Sequence, residues 1–115
     1  MVTTSSSSGK GRWGEELAAA FLVRAGYRIV ARNVRVPGGE IDLVCVEGGA
    51  LVFVEVKRRE GRRFGSALSS VDGRKRRKLR LIASDYAQIV APTATIRFDI
   101  VTIDGNRVAV HRNAF

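Results

Sequence analysis

Asp42 in EIDLVCVE, and Glu55 and Lys57 in ALVFVEVKR, combine residue type and spacing in a way that allows metal-assisted chemistry. The two runs, 40–47 and 50–58, are rich in β-branched residues. They flank Gly48-Gly49, a dipeptide whose two positions can both take positive φ in a tight hairpin turn. A two-residue turn pairs Glu47 with Ala50, and the same register sets Asp42 opposite Glu55 and Glu40 opposite Lys57. Strand alternation puts these four residues on matching faces. Carboxylates so placed, with Cβ atoms about 5 Å apart, repel each other. A divalent ion between Asp42 and Glu55 would compensate, and Mg²⁺ or Mn²⁺ suits oxygen ligands. Lys57 on the same face can orient a water or stabilise charge developing on a phosphate, a constellation suited to phosphodiester hydrolysis. The same residues also fit a purely structural arrangement, with Lys57 neutralising the acids or forming a cross-strand ion pair with Glu40.

The elements around the hairpin decide what else reaches it. Residues 11–25 read as a helix with Leu17, Ala18, Phe21, Leu22 and Ala25 on one face, stopped by Gly26. At 100° per residue, Glu15 falls about 90° from the centre of that face, able to reach a polar pocket, while Glu16 points to water. Both acids also suit the first turns of a helix, through its dipole. A strand is expected over 27–34 and a second helix over about 71–89, with an apolar stripe of Leu79, Ile82, Tyr86 and Ile89. Lys75 lies within about 10° of the centre of that stripe and must snorkel or meet an acidic or phosphate partner, whereas Arg77 and Arg80 read as a solvated face. Two further strands, 95–103 and 107–111, follow Pro92. The order is α-β-β-β-α-β-β: an α/β fold with a mixed β-sheet flanked by helices.

Composition narrows the chemistry. The chain has 115 residues, consistent with one domain over 10–115 behind a small polar segment (1–9, MVTTSSSSG) expected to be a disordered tail. One cysteine, Cys45, and one histidine, His111, rule out an internal disulfide and a Cys/His zinc site, and suit a reducing cytoplasm. No apolar run reaches membrane-spanning length. Twenty Lys and Arg against 11 Asp and Glu give a net charge of +9, which favours a polyanionic partner.

The pieces GRWGEELAAAFLVRAGY, GGEIDLV, LVFVEVKRR, FGSALSSVDGRKRRKL, RFDIVTI and HRNAF together resemble the bacterial YraN-like family. That family is related to archaeal Holliday junction resolvases, within the PD-(D/E)xK nuclease superfamily. The resemblance covers nearly everything after the serine tail. It implies a restriction-endonuclease-like fold and a metal-dependent endonuclease acting on structured or branched DNA, with a homodimer possible by analogy. Asp42 corresponds to the first motif aspartate, Glu55-Val56-Lys57 to the (D/E)xK tripeptide, and Glu15 to a glutamate on the first helix of resolvase-like members. Ile41 stands where the pattern has proline, a position without chemistry of its own. The implied roles are Mg²⁺ or Mn²⁺ binding by Asp42, Glu55 and the Val56 carbonyl with help from Glu15, and positioning of the attacking water by Lys57.

Eleven of the 20 basic residues fall between Lys57 and Arg80, against only Glu60 and Asp72. Arg58, Arg59, Arg62, Arg63, Arg74, Lys75 and Lys78 are the expected nucleic-acid contacts, giving affinity for phosphate without base readout. Few aromatics are expected at the surface. Phe21, Phe53 and Phe98 read as core, and Trp13 as a helix-packing residue rather than a base-stacking one. A non-catalytic nucleic-acid-binding accessory module on the same fold fits the charge equally well.

Overall fold

The computed structural model describes residues 3–4, 9–36, 39–59 and 73–114. Their elements are β1 (Thr3–Thr4), α1 (Gly9–Arg24), β2 (Arg28–Val36), β3 (Gly39–Glu47), β4 (Ala50–Arg59), α2 (Gly73–Val90), β5 (Thr95–Asp104) and β6 (Arg107–His111). This is the α-β-β-β-α-β-β order expected from the sequence, with a two-residue strand added at one edge. Within the segment expected to be a tail, Thr3 and Thr4 pair with Arg35 and Val34, and α1 already begins at Gly9; the other tail residues lie outside the described ones.

The sheet is mixed, in the order β1-β2-β3-β4-β5-β6. Only β4 and β5 run parallel, joined by the crossover that carries α2; the other neighbours are antiparallel. Central β4 is buried on both faces, which explains its unbroken apolar run ALVFV. Its Ala50, Val52 and Val54 pack under α1 with Ala18, Ala19 and Leu22. Leu51 and Phe53 pack under α2 with Ile82, Ala83, Tyr86 and Ala87. Helix α2 also comes close to Gly39, where a Cβ would stand 2.5 Å from the Ile82 Cδ1, the movable end of that side chain.

Helix α1 sits on the sheet rotated from the expected face, whereas the α2 stripe is buried at Leu79, Ile82 and Tyr86 as expected. On α1 the buried residues are Gly14, Glu15, Ala18, Ala19 and Leu22, while Phe21 is half-buried and Ala25 exposed. Small side chains let the backbone approach the sheet, so the contact face follows Ala18 and Ala19 rather than the bulkiest apolar residues. On α2 the alanines at 83 and 87 are buried, and Ile89, expected in the stripe, is 65% exposed in the last turn.

Candidate active site

The β3–β4 ladder has the register expected from the Gly48-Gly49 turn, where both glycines take positive φ, and it runs from Glu47–Ala50 to Leu43–Val54. Beyond that pair the ladder stops, and the Asp42 side chain takes over: the Val56 N–H donates to Asp42 Oδ2 at 2.8 Å. The alternation of β3 is interrupted at the same place. Leu43 packs on the α1 side while Ile41, two residues away, packs on the α2 side. Across the neighbouring ladder the pairs Arg32–Leu43 and Val34–Ile41 bracket Asn33, whose φ of 50° is left-handed. An irregularity of this kind re-aims a side chain within a sheet, and here it turns Asp42 toward β4 and α1.

Around Asp42 the acids converge. Oxygens of Glu15, Glu40 and Asp42 lie within 4.8 Å of one another. Glu15 stands near the centre of the buried face of α1, not at its margin, and is 9% exposed. Glu16 is exposed, as its helix position implied. Glu55 and Lys57 form an ion pair at 3.2 Å with both side chains largely buried. Glu40 pairs instead with Arg35, its cross-strand neighbour on β2, at 3.0 Å. The expected Glu40–Lys57 pair is therefore replaced by two others, because the β3–β4 ladder ends before reaching those positions.

Electrostatics record the crowding. Burial, then the Glu55 charge, push the Asp42 carboxyl up to about 7, with Glu15 and Glu40 adding to the effect and the Val56 amide opposing it. A poorly hydrated carboxylate amid three others is a place where a divalent cation relieves repulsion. The all-oxygen donor set suits Mg²⁺ or Mn²⁺. By this test the residues present fit such an ion, and Glu40 joins the set that sequence reasoning had confined to Asp42, Glu55, Val56 and Glu15.

Of the expected basic contacts, Arg58 and Lys78 are described. Arg58 is exposed at the end of β4. Lys78 is exposed on α2, its Cε 3.8 Å from where a Cβ of Gly39 would stand, and Leu79 beside it lines a small cavity with Glu55, Ile41, Phe53 and Phe98. Arg62 and Arg63 lie outside the described residues, as do the side chains of Arg59, Arg74 and Lys75. Trp13 is not a packing residue. It is 49% exposed, with the Arg58 guanidinium 4.6 Å from its ring centre. Rotation of α1 accounts for this, since Trp13 points about 160° from Glu15.

Sequence reasoning missed a second polar centre, on β5, where Asp99 pairs with Val54, itself the partner of Leu43 beside Asp42. Asp99 is fully buried; it accepts from the Tyr27 hydroxyl at 2.6 Å, from Arg97 at 3.0 Å through two nitrogens, and from the Asn113 backbone N–H at 3.1 Å. Arg97 also reaches Glu47 at 2.8 Å. Burial and the Asp99 hydrogen bond push the Tyr27 hydroxyl up to about 12. The available signal was an aspartate inside the apolar strand RFDIVTI. Asn33 was missed as well; its buried Oδ1 has no hydrogen-bond partner among the described residues.

The family described as "Uncharacterised protein family UPF0102" matches residues 14–103, a span that contains Glu15, Asp42, Glu55 and Lys57. A UPF0102 protein of Symbiobacterium thermophilum is 48% identical, over 91% of this chain and 94% of its own. One from Dechloromonas aromatica is 44% identical, over 95% and 90%, and one from Shewanella loihica 40%, over 99% and 100%.

Proposed function

The chain belongs to the UPF0102 family, and from that premise we propose that it is a metal-dependent endonuclease hydrolysing phosphodiester bonds in structured or branched DNA. The observation that carries this reading is the convergence of Glu15, Glu40 and Asp42 where the β3–β4 ladder is interrupted, with the Glu55–Lys57 ion pair close enough for the Glu55 charge to act on Asp42. Asp42, Glu55 and the Val56 carbonyl would hold Mg²⁺ or Mn²⁺, with Glu15 and Glu40 completing the acidic ring. Once bound, the ion supplies charge neutralisation and Lewis acidity at the phosphate. Lys57, held by Glu55, presents a cation that orients the attacking water and opposes charge gathering on phosphate oxygens. Arg58 and Lys78, with Arg59, Arg62, Arg63, Arg74 and Lys75, supply phosphate contacts that position a strand without reading its sequence. The partner is DNA, with pairing of two copies as the resolvase analogy suggests. The lone buried thiol, Cys45, suits a cytoplasmic setting. Among the described residues no helix is long and apolar enough to cross a membrane.

The test is cleavage of linear, flapped and four-way DNA with Mg²⁺ or Mn²⁺, comparing the native chain with Glu55→Gln. Metal-dependent cutting lost in the variant supports the proposal. Intact substrates under all these conditions overturn it and favour the second reading, a non-catalytic nucleic-acid-binding accessory module. That reading draws on the ion pairs Glu55–Lys57 and Glu40–Arg35, which already neutralise part of the acidic cluster.

A further inference from the structure

Trp13 is a large apolar ring left half in water, and it belongs to no hydrophobic cluster among the described residues. Covering such a ring is favourable, and its exposure is informative because of its neighbours. Along the chain, Trp13 is two residues from Glu15 on α1. Arg58, the residue after Lys57 on β4, lies over the ring at 4.6 Å. Trp13 projects from α1 on the side away from Glu15, so an aromatic face and a guanidinium plane in contact with each other stand on the outer side of elements that also carry the acidic site. A nucleobase offers a π-face to both kinds of surface, and its phosphate offers the charge complement of the basic residues that follow Lys57.

We propose that Trp13 and Arg58 form a stacking surface for an unpaired nucleotide of a DNA strand that runs on to the acidic site. The inference rests on the nuclease reading and adds the substrate class: DNA with an unstacked base near the cut, as in a flap, a gap or the branch point of a junction. Bases inside a continuous duplex are stacked on one another and offer no free face, so a blunt duplex uses the phosphate contacts alone.

Trp13 is the only tryptophan in the chain, so intrinsic fluorescence reports on this surface directly. Titrating the native chain with short oligothymidylate, without divalent ions so that nothing is cut, is expected to quench that fluorescence, and a blunt duplex to quench it far less. Measured by anisotropy of labelled strands, Trp13→Ala is expected to weaken oligothymidylate binding at least about fivefold, with duplex binding nearly unchanged and Trp13→Phe intermediate. Equal loss for both DNAs, no loss for oligothymidylate, or quenching by oligouridylate but not by oligothymidylate would each overturn the proposal. Its failure is separable from failure of the nuclease reading. A chain that cuts DNA while Trp13→Ala binds oligothymidylate normally lacks the stacking surface but keeps the activity.

Discussion

Asp42 is the residue on which burial, charge and backbone geometry meet, and its proton should be visible in stability. In the fold it holds that proton up to about 7, whereas an ordinary aspartate loses it near 3.8. The native state therefore binds more protons than the unfolded chain between those values, so the free energy of unfolding falls as pH rises through that interval and levels off above it. Asp42→Asn keeps an acceptor for the Val56 amide and removes the charge. Urea titrations at several pH values should show a much flatter profile for the variant, and a metal-free variant more stable than the native chain above pH about 7. An equal slope in both proteins would assign the dependence to other groups. Lys57 answers a different question. Lys57→Ala should lower the cleavage rate at least about 100-fold while leaving DNA affinity within a few-fold, a split between turnover and binding that a purely structural lysine would not give.

At the scale of elements, the site exists because two strands lose their regularity at facing positions. Asn33 is left-handed on β2 where Asp42 is re-aimed on β3. Replacing Asn33 by alanine or by glycine removes the same buried amide, so comparing the two isolates the backbone. Asn33→Gly should be more stable than Asn33→Ala by about 1 kcal/mol in chemical denaturation, because only glycine takes positive φ without cost from a Cβ. Equal stabilities would mean that β2 readily adopts another conformation there. These elements were unequally legible in the sequence. Gly48-Gly49 is a local signal, and it fixed the β3–β4 register out to Leu43 and Val54. The break at Asp42 has no local signal, because it is made jointly with a residue on another strand. The orientation of α1 was misjudged for a related reason. Phe21 and Ala25 weight the helical periodicity, but shape complementarity to the sheet selects the small residues Ala18 and Ala19, and that choice carries Glu15 inward and Trp13 outward.

Across the whole molecule the two polar centres divide the work. The Asp42 site gathers like charges around a place for a cation, while the Asp99 centre is closed by its own partners, drawn from the segment after α1, from β5 and from the C-terminal residues. Asp99→Ala strips a buried arginine and a buried hydroxyl of their acceptor and should cost about 3–5 kcal/mol of stability. Asp99 stands two strands from Leu43, the neighbour of Asp42, or roughly 10 Å, but its partners Tyr27, Arg97 and Asn113 lie outside the acidic cluster, so the folded fraction of that variant should bind divalent ions with near-native affinity. Nothing in the sequence linked Tyr27 to Asp99, which are 72 residues apart and meet only once the sheet is assembled. The electropositive character of the chain was legible from composition alone, since a net charge of +9 does not depend on the fold. The central claim is that the Asp42 end is a divalent-cation site, and Mn²⁺ titration by calorimetry, at pH near 8 on the native chain and on Asp42→Asn, tests it most directly. Saturable binding to the native chain that is lost or strongly weakened in the folded variant is the predicted result. Equal binding by both proteins, or none by the native chain even with DNA present, would contradict it.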